Sequence, residues 1–360
     1  MQPATSLATD SAECPRTIQR LLIVRLSAMG DVLHTLSAAG ALRLAMPETH
    51  FGWIVEERWA DLVRYACVRD GPVLTPIVDE VHKVNLKKWR RSLASINTWR
   101  RIHSCVTDLR AAHYDVAVDF QGAARSALVA RLSQAPSICG FAEPRENVAS
   151  MFYTSAVVTN EKHVVAQTVA LASAIAQRRL PAARIEFTCQ GCANSVPTLP
   201  SDYVILNPGA GWGAKQWPAE RYGEVAKRLA EELQLRCFIN GGPGEHDLIR
   251  TAQSASHGSA QPIACSPLEL VDVVRSARLF IGGDTGPMHL AATLRVPVVA
   301  IFGPTDPARN GPFGTRSIVL RSPDSRTSLS HMSSPDSAML QITTDDVVGA
   351  AIQLLRETRE

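Results

Sequence analysis

The sequence predicts an α/β protein made of two open parallel sheets that face one another across a cleft. Three observations lead there. Short apolar runs alternate with segments of helical period along almost the whole chain, the pattern of parallel sheets wound right-handedly. The runs are rich in β-branched residues and do not alternate strictly with polar ones, so both faces of each sheet are covered. The alternation lapses between Pro181 and Pro200 and restarts at Asp202, which divides the 360 residues into two halves of domain size.

In the first half the runs at 20–26 (RLLIVRL), 50–56 (HFGWIVE) and 114–120 (YDVAVDF) read as strands. In the second, those at 202–207 (DYVILN), 236–240 (RCFIN), 279–284 (LFIGGD) and 296–303 (VPVVAIFG) do so. Helical patterns such as DVLHTLSAAGALRLAM, PAERYGEVAKRLAEEL and SPLELVDVVRSA lie between them. Residues 18–185 are expected to form an N-terminal domain and 200–343 a C-terminal domain, with ligands held between the C-terminal ends of the two sets of strands. The Ser- and Pro-rich segment 321–338 reads as a loop. Residues 344–360 read as a terminal helix capped by Thr344 or Asp345. Residues 1–17 contain Asp10 and Glu13 and lack the apolar centre of a secretory signal, so a disordered extension is expected.

Hydrophobic content of 46% with 20% charged residues fits a soluble globular protein. No apolar run approaches the roughly 18 residues that span a bilayer, and a cytoplasmic location is expected. Of the eight cysteines, Cys189 and Cys192 form one C-x-x-C, but no second close Cys or His pair completes a zinc site. The cysteines therefore read as small apolar residues, and no metal is expected. Net charge is +3, yet seven basic residues and no acid fall between Lys83 and Arg101. Such a run is a solvated helix face or a docking site for an anionic partner, with Trp89 and Trp99 adding amphipathic contacts.

The chemistry concentrates at strand ends. Asp31 follows Gly30 where a buried strand hands over to a helix. An isolated Asp there is an N-cap; three polar, glycine-rich strand ends in the other half change the balance. In NPGAGWGAKQWPAERY (207–222) the glycines, Gly211 among them, let backbone N–H groups approach an anion, and Lys215 adds a compact positive charge. Gly209, Gly211 and Ala214 also match G-x-G-x-x-A, but Pro218 puts the helix start too late for a dinucleotide fingerprint. In NGGPGEHD (240–247), Glu245 opens a helix and can accept both hydroxyls of a ribose. In IGGDTGPMHLAATL (281–294), Asp284, Thr285 and Gly286 precede a helix starting Pro287, Met288, His289, whose free N–H groups make an anion site. Asp284 would be repelled by phosphate, so it is expected to fix Thr285 and the loop, or to hold a sugar hydroxyl. A base on one half and a diphosphate site on the other suit sugar transfer from a nucleotide diphosphate to an acceptor hydroxyl.

These residues stand in pieces that resemble a known family. MGDVLHTL (29–36), FGWIVEERWADLV (51–63), VDFQGAARSALVARL (118–132), PRENVASMFY (144–153), KQWPAERY (215–222), GGDTGPMHLAA (282–292) and IFGPTDP (301–307) are similar to the ADP-heptose:lipopolysaccharide heptosyltransferases of glycosyltransferase family 9, most closely those that add the first heptose. The resemblance spans roughly residues 20 to 320. It implies the GT-B fold, two facing Rossmann-like domains with a central cleft. It implies metal-independent, inverting transfer of L-glycero-D-manno-heptose from ADP-heptose to Kdo of the lipopolysaccharide inner core, with no cofactor. It places the catalytic base on Asp31 and the donor site on Lys215, Glu245, Asp284, Thr285, Gly286, His289 and Gly211. The acceptor, Kdo on lipid A at the inner leaflet, would meet Lys83, Lys87, Lys88, Arg90, Arg91, Gln121 and Arg125. The chain departs from the first-heptose enzymes at Ala210 and Gly211, where Thr is common, so backbone N–H groups must replace a hydroxyl. Cys265 stands where the base pocket is expected.

Other classes fit less well. A second-heptose enzyme, or another nucleotide sugar or acceptor, stays open within the family. An NAD-dependent dehydrogenase needs an acid at the end of the next strand, whereas Glu231 and Glu232 fall in a helical pattern. A nucleic-acid-binding protein would carry a recognisable module and a stronger positive balance.

Overall fold

The computed structural model describes residues 18–188, 199–328 and 334–357. The N-terminal extension and the Cys189/Cys192 pair lie outside the described residues. In chain order the strands are β1 (Arg20–Val24), β2 (His50–Glu56), β3 (Ala66–Asp70), β4 (Val73–Pro76), β5 (Glu80–Val84), β6 (Val116–Asp119), β7 (Ser137–Phe141), β8 (Ser155–Val157), β9 (Ile185–Phe187), β10 (Tyr203–Asn207), β11 (Arg236–Asn240), β12 (Ala260–Ile263), β13 (Leu279–Gly283), β14 (Val298–Phe302) and β15 (Ser317–Arg321). The helices are α1 (Met29–Ala45), α2 (Ala60–Arg64), α3 (Leu86–Arg91), α4 (Ile96–Ala111), α5 (Ala124–Leu132), α6 (Val164–Ile175), α7 (Ala219–Leu233), α8 (His246–Ala255), α9 (Glu269–Arg275), α10 (Gly286–Thr293), α11 (Pro307–Asn310) and α12 (Thr344–Glu357).

Two six-stranded sheets carry the fold, in the orders β5-β2-β1-β6-β7-β8 and β12-β11-β10-β13-β14-β15. Every neighbouring pair in both is parallel. Counted within each sheet, both orders read 3-2-1-4-5-6. In such doubly wound sheets the crevice for a ligand opens beyond the strand C-termini where the order reverses. Here that is between β1 and β6 in one sheet and between β10 and β13 in the other. Asp31 follows β1, Gln121 follows β6, Lys215 follows β10 and Asp284 follows β13, so topology alone brings the candidate residues to the two mouths.

The apolar runs behave as expected of doubly covered sheets: Leu21 to Val24 and Tyr203 to Leu206 are buried throughout. The expected strands at 50–56 and 236–240 have the observed bounds. The expected strand 20–26 stops at Val24, because the N–H groups of Leu26 and Ser27 turn to the Gln121 side-chain carbonyl (2.9 and 3.4 Å). A small antiparallel sheet, β4-β3-β9, was not expected; its strands are short and β9 lies where the pattern lapses. The terminal helix is capped one residue earlier than expected. Thr343 Oγ1 accepts from Asp346 N (3.2 Å), and Asp346 Oδ2 accepts from Thr343 N (2.8 Å).

The two halves meet where the starts of α1 and α10 pack together. A Cβ on Gly30 would come within 2.6 Å of His289 Cδ2, and one on Gly286 within 2.8 Å of Met29 Cβ. Each helix carries a glycine in its first turn at this approach, Gly30 second in α1 and Gly286 first in α10. Gly30→Ala is therefore expected to destabilise by about 1–3 kcal/mol through overpacking. Gly349→Ala, in α12 with nothing near its Cβ, should stabilise by up to about 1 kcal/mol. Urea unfolding midpoints of the two variants should move in opposite directions.

Candidate active site

The N-terminal rim is built around an ion pair. Asp31 lies in the first turn of α1; its Oδ2 accepts the Ala28 N–H (3.1 Å) and its Oδ1 meets Arg25 Nη2 at 2.7 Å. Arg25 is buried directly after β1, donating also to the Phe120 carbonyl. A guanidinium out of water requires an anion, and Asp31 supplies it. The Arg25 side chain is 7% exposed and that of Asp31 33%, so the carboxylate is gripped from below and open above. Asp31 is not the N-cap itself; it reaches back to one. Arg25 was not singled out from the sequence, because it sits inside an apolar run.

The loop after β6 supports this rim. Asp119 accepts from Gln121 N (2.8 Å), Gly122 N (3.2 Å), Ser126 Oγ (2.9 Å) and Tyr153 Oη (2.8 Å). Burial pushes the Asp119 carboxyl above the usual range, against those four bonds. Gln121 is buried with its side-chain carbonyl occupied by the β1–α1 backbone and its Nε2 enclosed without a partner. Arg125 is exposed, with Nη2 3.5 Å from Ser27 Oγ. Glu56, at the end of β2, was also missed; burial raises its carboxyl. It lines a hollow with Glu57, Arg58, Asn85 and Lys87. Lys83 lies on β5, and Lys87, Lys88, Arg90 and Arg91 on α3, all exposed. Of the two tryptophans in that run, Trp89 packs against the N-terminal core while Trp99 is exposed.

The C-terminal rim holds a second, more buried pair. Lys215 Nζ is 2.5 Å from Asp284 Oδ2, 3.4 Å from the Asp284 carbonyl and 4.1 Å from the centre of the Trp212 ring. Asp284 Oδ1 lies 3.2 Å from His289 Nε2. Burial pushes the Asp284 carboxyl up, but His289 and Lys215 outweigh it and hold the group well below the usual carboxylate range. Asp284 thus does not fix Thr285, as expected from sequence; it is the counter-ion of Lys215. Thr285 caps α10 from the backbone, its hydroxyl 3.3 Å from the Gly283 carbonyl, and Thr285 and Gly286 are partly exposed.

Glu245 stands beside the same strand ends. Its Oε2 accepts the Gly242 N–H (2.6 Å). Its carboxylate lies so close to Gly209 that a Cβ there would come within 2.2 Å of Oε1. Two buried asparagines unseen in the sequence tie these ends together: Asn240 Nδ2 donates to Asn207 Oδ1 (2.6 Å), and Asn207 Nδ2 to the Gly209 carbonyl (3.2 Å). Cys265 Sγ is 3.9 Å from Asn240 Oδ1. Gly211 is exposed with open space around it.

One hydrogen bond joins the rims. His289 Nδ1 is 2.9 Å from Nε2 of His34, one turn along α1 from Asp31. A continuous line therefore runs from Lys215 through Asp284 and His289 to the helix that carries Asp31. Among the described residues no group of three or more His, Cys, Asp or Glu side chains is placed to hold a metal ion.

Paired reversal points facing one another, an open carboxylate on one and a buried cation on the other, are the plan of a GT-B glycosyltransferase. Solved enzymes share the fold. Escherichia coli heptosyltransferase WaaC with ADP superposes with a TM-score of 0.75 at 26% identity, covering 95% of this chain and 100% of that one. Its complex with ADP-2-deoxy-2-fluoro heptose gives 0.73 at 25%, covering 94% and 99%. Lipopolysaccharide heptosyltransferase 1 of Pseudomonas aeruginosa is 30% identical over 84% of each chain. Residues 102–338 match glycosyltransferase family 9 (heptosyltransferase), and the chain belongs to that family.

Burial, followed by the neighbouring His289 and Arg25, holds His34 well below its ordinary range. An unfolded histidine protonates near pH ~6.5, so below that pH the unfolded chain takes up the proton first and stability falls. His34→Gln should flatten the dependence of the urea midpoint between about pH 7.5 and 5.5. An unchanged slope would remove His34 from that account.

Proposed function

We propose that the chain transfers L-glycero-D-manno-heptose from ADP-heptose to a Kdo hydroxyl of the lipopolysaccharide inner core, with inversion at the anomeric carbon. The observation that carries this reading is the open Asp31 carboxylate held opposite the buried Lys215 through the His34–His289 bond. Relatives named for lipopolysaccharide heptose transfer, and the WaaC complexes, support the donor and acceptor.

Asp31 takes the proton of the acceptor hydroxyl as its oxygen attacks C1 of the heptose. The bond from C1 to the diphosphate breaks in the same displacement, so the configuration inverts and ADP leaves. Lys215 and the free N–H groups at the start of α10 meet the charge that grows on the leaving diphosphate. That compensation comes from the chain's own groups, and we assign the reaction neither metal nor cofactor. Glu245, with Gly209 cleared before it, receives the ribose hydroxyls, and His289 keeps Asp284 in place. The open backbone at Gly211 stands in for the hydroxyl that Thr would supply. The carboxylates and phosphates of Kdo on lipid A meet Lys83, Lys87, Lys88, Arg90, Arg91 and Arg125. The enzyme would work in the cytoplasm, peripheral to the inner face of the inner membrane; no helix is long and apolar enough to cross a membrane among the described residues. Ala210 and Gly211 favour one second reading, transfer of the second heptose rather than the first.

Incubation with ADP-heptose and Kdo-terminated or heptose-terminated lipid A, followed by mass spectrometry, separates the two steps. A mass increase of one heptose on neither acceptor would defeat both. Asp31→Asn should lower turnover by about 10²–10⁴-fold, the usual worth of a general base, with ADP affinity by calorimetry little changed. Lost ADP affinity with turnover preserved would contradict that role. Lys215→Ala should weaken donor binding and slow turnover together; unchanged kinetics would take Lys215 out of the site.

A further inference from the structure

We propose that the hairpin of α3 and α4 is a docking wedge for an anionic lipid bilayer. This deepens the functional reading above, which calls for a lipid-borne acceptor. β5 is the edge strand, two strands from β1 in a parallel sheet, so α3 leaves the same end of the sheet as the Asp31 loop, about 10 Å to its side. The seven cations from Lys83 to Arg101 are all exposed. None of them forms a salt bridge among the described residues.

At the turn between the helices, Leu93, Ile96 and Trp99 are 50%, 64% and 53% exposed. The Trp99 indole N–H donates to the Leu93 carbonyl (2.8 Å), which lays the ring over the turn. Ile96 is one helical turn before Trp99 on α4, so the three form one apolar tip. Thr98 anchors the first turn of α4 and Leu109 its last part, while Ile96 and Trp99 on either side of Thr98 face outward.

An apolar tip flanked by unpaired cations selects its partner. Lys83, Lys87 and Lys88 argue against a protein-interface core, which is depleted of lysine though not of arginine, and a nucleic-acid backbone would leave Leu93 and Ile96 in water. A bilayer satisfies all three groups at once: tryptophan at the headgroup level, aliphatic side chains just below it, and cations against anionic headgroups. Charge complementarity thus commits the surface to anionic lipid, with the acceptor mouth beside it.

The test is co-sedimentation of the full chain with phosphatidylethanolamine vesicles, with and without phosphatidylglycerol. The expected result is binding only when phosphatidylglycerol is present, weakened by salt, and lowered roughly tenfold in affinity by Ile96→Asp or Trp99→Ser. ADP affinity and the urea midpoint of both variants should match the parent. Equal binding by the variants, or none by the parent, overturns the proposal. So does light scattering that shows a dimer lost in Ile96→Asp, since a second copy would then cover the tip. The vesicles contain no acceptor, so this outcome is independent of heptose transfer. Transfer to a de-acylated Kdo acceptor tests the functional reading without the bilayer.

Discussion

An ammonium group out of water must have an anion beside it, and the C-terminal rim is arranged around that requirement. Lys215 is buried, and Asp284 at 2.5 Å is its counter-ion. An acid in the loop proposed to meet phosphate looks misplaced when read as a ligand. Read as the partner of Lys215, it is necessary: it allows the buried cation to be held in place, where an unpaired charge would cost several kcal/mol. An ammonium has three donors, so Lys215 can keep Asp284 while turning another proton toward a diphosphate. Because the loop is already ordered, little has to be rearranged when charge develops on a leaving group.

The N-terminal rim solves the same problem with the roles exchanged. There the buried member is the cation, Arg25, and the open member is the carboxylate, Asp31. In one pair an acid holds an ammonium in place; in the other a guanidinium holds a carboxylate. Both of Asp31's oxygens already have one donor each, from Arg25 and from Ala28 N–H. Its remaining lone pairs are thereby aimed, and the side chain gives up little further freedom on meeting a hydroxyl. Asp119 acts one layer further out, through the Gln121 turn that ties down the backbone of Leu26 and Ser27.

Much of this plan was legible in the sequence because it is written locally. Asp31, Lys215, Glu245 and Asp284 each stand just beyond an apolar run, and a parallel sheet sends all such positions to one edge. What escaped was either long-range or disguised. Arg25 is disguised by the apolar run around it, so its charge reads as a strand irregularity. His34 sits 255 residues from His289, and nothing in a helix interior announces a partner at that distance. Asn207 and Asn240 left a usable signal, the same polar residue ending two neighbouring strands. The sheet of β3, β4 and β9 was missed because Ala66–Asp70, Val73–Pro76 and Ile185–Phe187 are too short to show a period, and the last is 117 to 121 residues away from its partners in sequence.

The bond between His34 and His289 has a geometric consequence for the two pairs. Asp31 and His34 lie one turn apart on α1, and a helix is stiff over that distance. Thr285 to His289 is likewise the first turn of α10, in direct continuation of Asp284. Holding the two imidazoles at 2.9 Å therefore couples the turn that carries the carboxylate to the turn that holds the ammonium's counter-ion. The glycines at 30 and 286 are what permit that approach, since a side chain at either would push the helices apart. Reactions of positioned groups lose about 10²-fold for a displacement of about 1 Å. In the proposed reaction the alignment of Asp31 with Lys215 thus draws on two hydrogen-bonded rings and two missing side chains, together with the His163–Gly311 bond between the halves.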